Sequence, residues 1–127
     1  MKSSTTATIT RELSAAERAV IRQENAERRA NRRALESAEG YLALSGFSKQ
    51  GLYEQLSSPA GEGFTQAEAQ YAVDHVGADW KKEAVESARS YLEISPMSRN
   101  ALIEQLSSSA GEGFTPEEAL YAVNKVY

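Results

Sequence analysis

Apolar residues in this chain recur at helical spacing, and they do so twice in the same arrangement. Leu35, Ala38, Tyr41 and Leu42 stand at i, i+3, i+6 and i+7, as do Val85, Ala88, Tyr91 and Leu92. Leu52 and Leu56, then Leu102 and Leu106, sit one turn apart. Ala69, Ala72, Val73 and Val76 form a third stripe, matched by Ala119, Ala122, Val123 and Val126. No segment shows the sustained alternation of strands, so the pattern predicts an all-α fold.

The stripes belong to a duplication. Residues 34–76 align without a gap on residues 84–126 at an offset of about 50, with roughly 26 of about 43 positions identical. Punctuation between the stripes divides each copy into three helices. Ser48 and Ser98 can cap the second. A loop follows, SSPAGEGF or SSSAGEGF, whose glycines permit positive φ. Thr65 to Glu68 and Thr115 to Glu118 are capping boxes that open the third, with Pro116 at the favoured first position. Gly77 ends the third helix of the first copy, and Asp79 can cap the next. Each copy is near the lower size limit for independent folding, so the two are expected to share a core. Trp80, lying between them, is expected to pack their junction.

Ahead of the repeats, Ser14 to Glu17 reads as a capping box behind Leu13. It opens a helix that runs on into the first repeat, because no Gly or Pro intervenes before Gly40. Its first half has only a thin stripe of Leu13, Ala16, Val20 and Ile21, which buries little area. The expected organisation is a disordered Ser/Thr-rich tether at 1–13, a basic helix at 14–33, repeat 1 at 34–78 and repeat 2 at 79–127. Two short helices with a third across them also outline a helix-turn-helix.

Charge is divided along the same boundary. Up to Arg33 there are about eight basic and four acidic side chains; from Ala34 onward, about six basic and fourteen acidic. The acidic repeats repel phosphates and favour basic partners, which argues against DNA reading by their third helices. Arg18, Arg22, Arg28, Arg29, Arg32 and Arg33 leave three readings of the leading helix: a solvated face, contact with nucleic acid or an anionic membrane surface, or contact with the acidic repeats of a neighbour.

Catalytic chemistry finds no support. With no cysteine there is no disulfide, thiol nucleophile or thiolate metal site. His75 is the only histidine and faces Lys125 in the alignment, so no metal site is expected. GEGF lacks the lysine and Ser/Thr of a phosphate loop. No base accompanies any serine. No cofactor and no small-molecule substrate are expected. The matched tyrosines Tyr41, Tyr71, Tyr91 and Tyr121 read as core residues with hydroxyls at the rim.

The ordered motifs resemble one family. Tyr41-Leu42, Phe47-Ser48, Gly51-Leu52, Gln55 to Ser58, Gly61 to Thr65, Glu68-Ala69, Tyr71 to Val76, Asp79-Trp80, Glu83 to Val85 and Gly111 to Val123 are similar to the Ltp family of host cell surface-exposed lipoproteins, over about three quarters of the chain. The resemblance implies tandem helix-turn-helix-like repeats and, for members carried by prophages, superinfection exclusion: blocking the passage of another phage's DNA into the cell. It further implies a non-enzymatic module that captures an injected phage protein, such as a tape measure protein. Exposed acids are the expected contacts: Glu54, Glu62, Glu104 and Glu112, with Asp74 and Glu117. Glu68 and Glu118 are explained by capping. The family carries a lipoprotein signal and a lipid-bearing cysteine, and neither stands in this sequence. A processed form would act at the cell surface, and a chain complete as given in the cytoplasm. The alternative function is a cytoplasmic DNA-binding regulator that uses the basic helix.

Overall fold

The computed structural model describes residues 12–127, and there the chain is all-α. The tether expected at 1–13 falls almost wholly outside the described residues. Among the described residues six helices follow one another: α1 (Ala15–Leu44), α2 (Lys49–Ser57), α3 (Gln66–His75), α4 (Trp80–Ile94), α5 (Arg99–Ser107) and α6 (Pro116–Val126). The chain divides into two compact units, Met1–Ala30 and Asn31–Tyr127.

In the first unit, the Ser14 box closes as expected. The Ser14 N–H donates to Glu17 Oε1 at 2.8 Å, and the Glu17 N–H to Ser14 Oγ at 3.1 Å. Those bonds hold the Glu17 carboxyl below its usual range. Leu13, Val20 and Ile21 are exposed.

The second unit holds both repeats. The end of α1 with α2 and α3 makes the first; α4, α5 and α6 make the second. The caps repeat. Ser48 Oγ accepts from the Gly51 N–H at 2.8 Å, and Ser98 Oγ from the Ala101 N–H at 3.1 Å. Both Thr–Glu boxes close at 2.9 and 3.1 Å. Asp79 caps α4 by accepting from the Lys82 N–H at 3.2 Å. Gly77, at φ +68°, ends α3 in the left-handed conformation that a side chain resists.

One expectation fails: the repeats do not share a core. Ala34, Ala38, Leu52, Leu56, Ala69, Ala72 and Val73 form one buried cluster; Ala84, Val85, Ala88, Leu102, Leu106, Phe114, Ala119, Ala122 and Val123 form another. Three amphipathic helices suffice to bury each stripe, and the contacts between repeats include polar and backbone ones. Phe47 N–H donates to Glu83 Oε1 at 3.3 Å. A Cβ on Gly46 would lie 2.7 Å from the Glu83 carbonyl oxygen, so only glycine allows this approach. Trp80 crosses the junction as expected, packing from the start of α4 onto the first cluster. On α1 the buried face is turned by one position: Ala34 is buried and Leu35 is half-buried at its edge.

Phe64 and Phe114 are core residues that the stripes did not include. Each stands just before a capping threonine, where an apolar side chain packs back along the helix it precedes. The tyrosines split. Tyr41 and Tyr91 pack on the clusters as expected. Tyr71 and Tyr121 belong to neither. Tyr71 stacks on His75 with centroids 4.0 Å apart, and Lys81 and Lys125 each place Nζ 5.4 Å from the exposed Tyr121 ring.

Candidate functional site

The two glycine loops and α2 enclose a cleft of about 340 Å³. Each loop is shaped by its own hydrogen bonds. Ser58 C=O accepts from the Gly61 and Gly63 N–H groups at 2.9 and 3.0 Å; Ser108 C=O accepts from Gly111 and Gly113, both at 3.0 Å. The Phe64 and Phe114 N–H groups reach the Leu56 and Leu106 carbonyls at 2.8 Å, tying the end of each loop to the preceding helix. The loops therefore present an internally hydrogen-bonded backbone surface, and Glu54, Gln55 and Glu112 stand in the cleft wall.

A second cleft, also about 340 Å³, lies along the equivalent surface of repeat 2, between Met97, Glu104, Gln105 and Gly111. Gly111 is common to both clefts, so Glu54, Glu112 and Glu104 border adjoining depressions. Glu54 and Glu104 are exposed. Glu54 accepts a 3.3 Å bond from Gln50 Nε2, one turn back; the Glu104 carboxylate has no hydrogen bond or ion pair among the described residues.

The remaining acids are placed differently. Glu62 is exposed and accepts from Ser37 Oγ at 3.1 Å. Asp74 already has a cation: Lys49 Nζ lies 2.8 Å away, and Gln70 Nε2 donates at 3.0 Å. Hydrogen bonding to Lys49, then to Gln70, holds its carboxyl below the usual range. The corresponding pair in repeat 2 is Arg99 with Asn124, a link between α5 and α6 that leaves no net carboxylate. Glu117 is exposed in the first turn of α6, outside both clefts. Glu68 and Glu118 are occupied as caps.

Glu112 differs from its counterpart Glu62. It is half-buried. Tyr91 donates its hydroxyl to Oε2 at 2.6 Å, and Ser87 lies 3.5 Å from Oε1. Its backbone carbonyl accepts the hydroxyl of Ser48, from the other repeat. Burial first, then the bond to Glu112, raises the Tyr91 pKa. Sequence reasoning treats the two glutamates as equivalent because their neighbours in the chain are the same. The signal available was Gly46, Ser48 and Gly51 of repeat 1 facing Pro96, Ser98 and Ala101 of repeat 2: glycines mark the side that receives a neighbour.

Glu83 is the junction carboxylate that sequence reasoning passes over. Burial is the main cause of its raised pKa; the Phe47 N–H opposes it and nearby Glu86 and Asp79 add to it.

The family model for host cell surface-exposed lipoproteins matches residues 29–76 and again 79–126. Among solved structures, the chain is similar to Ltp, a superinfection exclusion protein from the Streptococcus thermophilus temperate phage TP-J34. The identity is 36% and the TM-score 0.70, over 77% of this chain and 96% of that one. No curated protein matches it.

Proposed function

Because the chain belongs to the family of host cell surface-exposed lipoproteins, we propose that it acts in superinfection exclusion at the cell envelope. In this reading it captures a basic or amphipathic segment of an injected phage protein, such as a tape measure protein, on the acidic face of its repeats. The observation that carries the reading is the pair of adjoining clefts at the second glycine loop, bordered by Glu54, Glu104 and Glu112. Carboxylates beside this hydrogen-bonded backbone speed the encounter with a cationic segment and set its register. The work is binding, and no bond need be made or broken.

The test replaces Glu54, Glu62 and Glu104 with lysine together in an envelope-anchored form. Glu112 is left alone, because its carboxylate also holds Tyr91. The triple variant should keep its helicity and lose protection against phage DNA uptake, with adsorption unchanged. Capture of a basic peptide by the unmodified protein should weaken as salt rises. Full protection by the folded, displayed variant would sink the acidic-capture mechanism.

A second reading concerns α1 alone. Arg18, Arg22, Arg28, Arg29, Arg32 and Arg33 are all exposed, which suits contact with duplex DNA or an anionic membrane surface. Salt-sensitive retention of duplex DNA, lost when Arg28, Arg29, Arg32 and Arg33 become alanine, would favour a DNA-binding regulator. Retention on anionic vesicles alone would favour an auxiliary membrane contact.

A further inference from the structure

A third cleft lies at the repeat junction, on the carboxylate side of Glu112. It measures about 240 Å³ and is walled by Ser45 and Gly46 after α1 and by Ser87, Tyr91 and Ile94 of α4. What stands in it is a half-buried carboxylate whose partners among the described residues are hydroxyls. Tyr91 holds Oε2 at 2.6 Å, while Ser87, at 3.5 Å, is at the outer limit for a bond to Oε1. Among the described residues no lysine, arginine or histidine pairs with it. A half-buried carboxylate satisfied only by hydroxyls has no countercharge of its own and gains attraction from a cation that reaches it.

The surroundings also set the direction of the hydrogen bonds. Gln105 Nε2 donates to the Tyr91 hydroxyl oxygen at 3.0 Å, so the tyrosine proton is directed onto Glu112. This anchors Oε2 through one of its lone pairs and leaves Oε1, with only the distant Ser87 hydroxyl, as the less committed oxygen. A bidentate guanidinium fork has to share Oε2 with the Tyr91 hydroxyl, whereas a compact ammonium can sit on Oε1 alone and share its other donors with serine hydroxyls. The Tyr91 ring and Ile94, which is 82% exposed, supply apolar surface for a methylene stem. Repeat 1 has no equivalent: the Gln55 bond to Tyr41 is present at 3.2 Å, but Glu62 is exposed and bonded to Ser37.

The geometry points to a lysine site: the cleft takes the ammonium group of a lysine side chain, held by Glu112. The inference rests on the capture reading above and names the chemistry that one position of the captured segment presents.

The experiment is an NMR titration of the full chain with blocked tetralysine and blocked tetraarginine peptides, repeated on Glu112→Gln. Tetralysine should shift the Gly46, Ser87 and Tyr91 amides, and Glu112→Gln should weaken it roughly ten-fold or more. Tetraarginine, held by the exposed acids, should be little affected by that variant. Shifts that miss those three amides would overturn the site, whatever the variant does. So would equal losses for the two peptides, or undiminished tetralysine binding by a folded Glu112→Gln. If the site fails while the Glu54, Glu62 and Glu104 lysine variant still abolishes exclusion, capture stands without it. If the site holds and that variant protects fully, it is capture by the exposed acids that falls.

Discussion

The hydroxyl of Ser48 bonds to the backbone carbonyl of Glu112, in the glycine loop of the other repeat. The same oxygen accepts the Gly51 N–H at 2.8 Å, so one side chain both starts α2 and fastens the repeats together. Ser98 holds the identical position in repeat 2 and is exposed, with only the cap to make.

Ser48→Ala should therefore cost more than Ser98→Ala. Loss of a cap costs about 1 kcal/mol. Leaving the Glu112 carbonyl without its partner adds roughly 1–3 kcal/mol. Urea unfolding of the two variants measures the difference directly. Equal midpoints would mean that the hydroxyl contributes nothing across the junction.

Two glycines in each loop are required for different reasons. Gly63 and Gly113 adopt φ +69° and +76°, and alanine there should cost about 1 kcal/mol or somewhat more. Gly61 and Gly111 have ordinary φ, but a Cβ would sit 2.2 Å from the carbonyl oxygen of Gln55 or Gln105. The obstacle is backbone, so the loop itself must move. Gly61→Ala should lower the melting temperature more than Gly63→Ala, and the reverse order would refute the steric account.

Glu83 makes stability depend on pH in a defined sense. Its folded pKa lies above the ordinary 4.5, so the folded state holds the proton more tightly than the unfolded chain. Stability from this group is present below about 4.5 and falls as pH rises through the raised value. Glu83→Gln keeps an acceptor for the Phe47 N–H and removes the charge. At pH 7 it should be as stable as the parent or slightly more so, by about half a kcal/mol or less because the group is partly solvated. The advantage should vanish near pH 4. Clear destabilisation by Glu83→Gln at pH 7 would contradict this.

The two loop phenylalanines should separate in the same kind of comparison. Phe114 is 2% exposed, and its replacement by alanine should cost about 3–5 kcal/mol. Phe64 is only half-buried, so Phe64→Ala should cost measurably less in thermal unfolding.

The chain's own order of residues determined the helices, their limits and their duplication. Caps and glycines act over three or four neighbouring residues, so Thr65 with Glu68, Asp79 with Lys82 and Gly77 at the end of α3 are all legible in the sequence alone. The apolar stripes are legible for the same reason, except where tertiary contact shifts the α1 face onto Ala34 and draws Phe64 and Phe114 inward. The acids are legible as a surplus, not as a set of positions. Only the tertiary structure decided that Asp74 is paired with Lys49, and that Glu54 and Glu104 border adjoining clefts. It alone separated Glu112 from Glu62. Two copies with the same local sequence have the same local structure, but each meets a different neighbour. Repeat 2 lays its glycine loop against Ser48 of repeat 1, whereas among the described residues the Ser98 hydroxyl makes only its cap. Nothing within a few residues of either glutamate records that difference, because it arises between positions 64 residues apart.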